Sequence, residues 1–247
     1  MKNSMLSPED FLSNAEEAYL FSVDIAWDQH RRYPELSRGT CLRCRSFLYT
    51  LLTAEGDFFG KACELADSAP NRRTMNSLLP ELRILMTERF KHPVVSSDYA
   101  PGNSFRYTQT SGNLCYLHIR NAKIPESFLD DPVYVVKGLN AIMNQAESFH
   151  SCTVLYTATW LNAHNAFLHF FPKEWKENLR NTLDGEIGPT MGWQGQFINK
   201  RGLLNRATAD YYLKNGVLLY QRLESHCSFT NMREHLKKIK PDMCILK

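Results

Sequence analysis

The chain has 247 residues, 43% hydrophobic and 22% charged, and its 29 Lys and Arg against 26 Asp and Glu leave a formal net charge of +3. That length buries a hydrophobic core without disulfide or metal staples, and the near balance of charge offers little reason to expect nucleic acid as a partner. The best apolar run, 148 to 171, is interrupted by Asn162, His164, Asn165 and His169, so no membrane span is expected.

The seven cysteines, at 41, 44, 63, 115, 152, 227 and 244, are odd in number and scattered, and no export segment precedes them. The expectation is a reducing, cytoplasmic setting. CLRC at 41 to 44 has the spacing of a metal or redox pair, but no second pair follows, and ordinary helical cysteines are the simpler reading.

The first helix is predicted to begin at Ser7, where SPED supplies a cap, a proline at the first helical position and acidic residues over exposed amides. It should stop before Pro34, burying one face through Ala18, Phe21, Ile25 and Ala26. A second helix is expected over 41 to 66, broken near Gly56, and a further one over 75 to 90 that Pro80 kinks or re-starts. Residues 92 to 113 lack a helical period and read as an exposed loop or a lid over a pocket. LCYLHIR, 114 to 120, alternates like a strand, with 107 to 110 as a short partner.

The longest helical segment is predicted at 133 to 170, divided if anywhere near Ser151 to Thr153. A compact helix at FPKEWKENLRNTL, another at LLNRATADYYLKNG and one or two more over 217 to 239 complete the chain. The fold expected is mainly α, a single-domain multi-helix bundle around a long central helix with a small irregular or β-hairpin insertion. A weak subdivision near residue 95 is the alternative.

Glu147 and His150, three residues apart, occupy neighbouring positions on a helix and suit one metal ion. They make half a site, since no second Glu-x-x-His occurs. His164 lies fourteen residues beyond His150, about 21 Å along a helix axis, and His169 points elsewhere, so any cluster needs a partner from another element. His118, on LCYLHIR, is the leading candidate; His30 with Asp28, and Glu224 with His226, are weaker ones. His164 among Trp160, Phe167 and Leu168 is consistent with a single axial ligand to heme, or with plain aromatic packing.

The second candidate is GPTMGWQGQFINKRGLLNRATADYY, 188 to 212. Gly192, Gly195 and Gly202 permit close approach, Trp193 offers a stacking surface, and Lys200, Arg201 and Arg206 suit a carboxylate or phosphate. No nucleotide-binding loop or nucleophile elbow is present.

These residues favour an enzyme acting on a small, aromatic or acidic molecule, with heme or non-heme iron held by histidine and Arg201 or Arg206 holding a substrate anion. In that reading His118, Glu147 and His150 ligate a metal, while His164, Trp160, Trp193, Gly192 and Gly195 surround a cofactor. One alternative is a metal-free transferase or cyclase using His118, Glu147 or His150 for proton transfer. The other is a non-catalytic helical ligand-binding or adaptor protein, with a homodimer allowed.

Overall fold

The computed structural model describes residues 7–46, 56–91, 102–110, 112–182, 191–199 and 203–239. Helices α1 (Pro8–Arg32), α2 (Arg38–Cys44), α3 (Gly56–Ser68) and α4 (Leu79–Lys91) come first. Strands β1 (Phe105–Gln109) and β2 (Leu114–Ile119), helix α5 (Pro132–His150) and strand β3 (Val154–Thr159) follow. After the short helices α6 (Asn165–Leu168) and α7 (Lys173–Glu177) come β4 (Arg180–Asn181), α8 (Met191–Gln194), α9 (Arg206–Asn215), β5 (Leu223–Ser228) and α10 (Phe229–Leu236). The chain forms two compact units, Met1–Val95 with Ile187–Leu219, and Ser96–Glu186 with Tyr220–Lys247.

In the first unit α1 begins as its sequence predicts: Ser7 accepts the Asp10 amide, Pro8 opens the helix, and Glu9 and Asp10 sit in the first turn. His30, Arg31 and Arg32 occupy the last turn, where the helix dipole favours positive charge. The helix buries two stripes where one is expected. Ala15, Tyr19, Val23 and Ala26 join a core with Leu42 of α2, Ala62 and Cys63 of α3, and Leu82 and Met86 of α4. Ala18, Phe21 and Ile25 join another with Trp193, Phe197, Ala209 and Tyr212. Pro80 stands one residue inside α4, directly after a 3-10 turn over Arg72–Leu78, so the proline re-starts the helix.

The second unit is built on a five-stranded sheet in the order β1-β2-β3-β5-β4. β1 and β2 form the antiparallel hairpin that LCYLHIR and its neighbour predict, with Tyr107 opposite Leu117. β2 and β3 are parallel, and α5 makes the crossover that a parallel pair requires. Cys115, Leu117, Leu155 and Cys227 face a core completed by Leu139, Ile142 and Met143 of α5 and Met232 and Leu236 of α10. Strand alternation puts Tyr116, His118, Tyr156, Glu224 and His226 on the other face.

The chain is therefore mainly helical with a modest mixed sheet, as its patterning implies. Several boundaries need correcting. The helix expected over 133 to 170 ends at His150, where Ser151 takes a left-handed φ of 51°, and the chain continues as β3. Arg180–Asn181 is a strand where a helix is expected, and Leu223–Ser228 is a strand paired with β3 and β4. Of the predicted lid at 92 to 113, residues 92–101 and 111 lie outside the described residues, and Phe105–Gln109 is strand β1. Among the described residues no helix is long and apolar enough to cross a membrane.

Candidate functional site

The residues expected to bind a metal do not all come together. The carboxylate of Glu147 accepts from Arg233 at 2.7 Å, and that hydrogen bond and charge hold it below the usual glutamate range. His150 places its ring 5.8 Å from that of Tyr107. His118 lies on the sheet face opposite α5, with Nε2 2.9 Å from Thr108 Oγ1. Strand alternation thus separates His118 from Glu147 and His150. Among the described residues no group of three or more His, Cys, Asp or Glu side chains can hold a metal ion. The expectation of heme or non-heme iron is corrected accordingly.

His164 packs against Trp160 and Tyr220, at ring separations of 6.2 and 5.5 Å, and those two rings lie 5.7 Å from each other. Aromatic neighbours fill the surroundings in which a flat cofactor was expected. Burial lowers the pKa of His164, and its Nδ1 has no hydrogen-bond partner among the described residues.

Trp193 is fully buried with its ring 5.9 Å from Phe197, so it is a core residue where a stacking surface was expected. Gly192 and Gly195 lie in α8 and the turn after it. Lys200, Arg201 and Gly202 lie outside the described residues. Arg206 grips Glu17 through Nε at 2.9 Å and Nη2 at 2.6 Å, tying the start of α9 to α1.

What the first unit does assemble is a cleft of about 620 Å³ between the end of α1 and the end of α9. Such a volume lies in the range of small-molecule sites, roughly 300–1,000 Å³. Arg31, Arg32, Arg38, Arg72 and Lys214 line it with Asp24, Asp28, His30, Trp27 and Tyr212. Asp28 is the hub: it accepts from Arg31 at 2.6 Å, Arg32 at 2.8 Å and the Tyr212 hydroxyl at 3.0 Å. Gln29, fully buried, donates to the same hydroxyl at 3.0 Å. Burial is the main cause that raises the Tyr212 phenol above its usual range, and the Asp28 charge adds to it, so it serves as a hydrogen-bond donor.

Across the cleft Arg72 pairs with Asp24 at 2.6 Å, and Arg38 lies 5.2 Å over the Trp27 ring. His30 Nδ1 is 2.7 Å from the Leu36 carbonyl. A carbonyl only accepts, so Nδ1 is the donor in this contact. A guanidinium has five donors, and a carboxylate partner occupies one or two. The cations are thereby held in place with donors left for a further anion.

Two of these residues, His30 and Asp28, were weak candidates on sequence; Arg72, Arg38, Lys214 and Tyr212 were missed. The local signal was Asp24, Asp28, Arg31 and Arg32 at three- and four-residue spacing, which gathers acids and bases on one helix face. No protein-family model matches the chain, and no curated protein or solved structure is significantly similar to it.

Proposed function

We propose that the chain is a non-catalytic ligand-binding protein whose first unit holds a small anion carrying a flat ring. The observation that supports this is the convergence of four arginines and Lys214 on one cleft beside Trp27. Forked guanidinium donors match phosphate or carboxylate oxygens, and an indole face accepts a planar ring. Proton-transfer chemistry through His118, Glu147 and His150 has less support, because His118 stands on the far side of the sheet from α5. The six cysteines among the described residues are free and scattered, which supports a reducing compartment.

The test is calorimetric titration with inorganic phosphate, a nucleoside monophosphate, an aromatic carboxylate and an uncharged nucleoside. An anion bearing a ring binds best, the uncharged nucleoside does not bind, and Arg72→Ala with Lys214→Ala weakens binding by about tenfold or more, near 1.4 kcal/mol. The reading fails if no anion binds at millimolar concentration, or if the double variant binds as the wild type does.

A further inference from the structure

The cations of the cleft in the first unit are not matched one for one by acids. Arg72 meets Asp24 singly, at 2.6 Å, but Arg31 and Arg32 share the one carboxylate of Asp28. Arg38 is held by neutral partners, the Ala69 carbonyl and the Trp27 ring. Lys214, exposed at the cleft, pairs with no carboxylate among the described residues.

Five lining cations against two lining carboxylates leave three positive charges, His30 aside. Helices α1 and α9 both end at the cleft, at Arg32 and Asn215. Each helix C-terminus carries roughly half a negative charge, so about two positive charges stay unanswered. They are also spread out. The cations come from the end of α1, the start of α2, the first residue of the 3-10 turn at Arg72 and the last turn of α9.

Resting on the anion-binding reading above, we infer that this cleft selects a doubly charged phosphate monoester of a small ring compound over a singly charged carboxylate or sulfate ester. A carboxylate offers two oxygens in one plane and one charge, which leaves part of the excess unmet. A phosphate monoester carries about two negative charges above its second pKa near 6, and its three outer oxygens point to several sides at once. Cations arriving from four segments suit that shape.

The test is calorimetric titration of the whole chain with phenyl phosphate, phenyl sulfate and benzoate at about pH 8 and about 50 mM salt, where the phosphate is fully charged and exposed charges are weakly screened. The two esters share a ring and a tetrahedral head and differ by one charge. Phenyl phosphate binds at least about tenfold tighter than either monoanion. Lys214→Gln, at an exposed position, weakens phenyl phosphate by about threefold or more and phenyl sulfate by less, so the ratio between the esters narrows. Equal binding of phenyl phosphate and either monoanion, or a ratio that Lys214→Gln leaves unchanged, overturns this inference and leaves the anion-binding reading standing. Binding of none of the three at millimolar concentration overturns both.

Discussion

The hydroxyl of Tyr212 donates to Asp28 at 3.0 Å while it accepts from Gln29 at 3.0 Å, so one phenol on α9 ties together two successive residues of α1. Its ring is buried with Phe21 and Phe197, at 6.3 and 6.0 Å. One side chain therefore serves the core below and the cleft above.

Tyr212→Phe separates these roles. The ring stays, but Gln29 loses its acceptor in a fully buried position and Asp28 loses one of its donors. Leaving a buried amide unsatisfied costs about 1–3 kcal/mol, read as a lower urea midpoint with an unchanged slope. Tyr212→Ala also empties the core and costs about 3–5 kcal/mol.

Gly216 ends α9 with φ +68°, and a Cβ there would lie 2.3 Å from Nη2 of Arg32. Gly216→Ala meets two penalties. The left-handed backbone costs about 1–2 kcal/mol with a side chain present, and the methyl displaces Arg32 from Asp28. Chemical denaturation reads the first. Weaker binding of an anionic ring compound, relative to wild type, reads the second.

Gly138→Ala sets two effects against each other. Alanine gains about 1 kcal/mol in a helix interior, but its Cβ would meet Cδ2 of Phe105 at 2.4 Å. Phe105 is fully buried and packed edge-on against Phe128 at 5.7 Å, so it has little room to move. Overpacking costs about 1–3 kcal/mol. The variant is expected to melt below wild type, and a higher melting temperature would show that the ring yields.

Two histidines give the second unit a pH dependence. Burial lowers the pKa of His164 below 6.5, and burial with the charges of His235 and Lys176 lowers that of His169. The unfolded chain then binds more protons than the native one in this window. Stability is complete above the unfolded value near 6.5, falls as pH drops toward the folded values and levels off below them. Melting temperatures from pH 8 to 5 should decline, and His164→Leu should make the decline shallower. Carboxylates held low by cations, such as Glu147 and Asp131, act only below the usual carboxylate range near pH 4.

Local signals were legible where they act locally. Ser7 and Pro8 start α1, and Gly216 ends α9, because a cap or a stop is decided within a few residues. The segment after His150 was misread because apolar residues continue so densely that a helical period can be drawn through them. Its better signal was the run Thr153, Val154, Thr157 and Thr159, whose branched side chains favour a strand. LESHCS is less telling still, since its strand forms only beside β3, which lies far away in sequence.

The site divides in the same way. Asp28 and His30 were visible as neighbours on a helix, whereas Arg72, Lys214 and Tyr212 reach that neighbourhood only through tertiary folding. Helix spacing alone already kept the histidines of the apolar stretch apart, so that a cluster needed a partner from another element. The change from α5 to β3 sends those side chains to separate surroundings.

The second buried stripe of α1 also sets a timetable for synthesis. Phe21 and Ile25 leave the ribosome early, yet Trp193, Phe197 and Tyr212, which cover them, are encoded only after most of the sheet-bearing unit. At ordinary elongation rates that wait is on the order of ten seconds. A nascent chain or a fragment ending near residue 95 therefore displays a sticky helix face, and recombinant production calls for the whole chain or for a chaperone to shield that face.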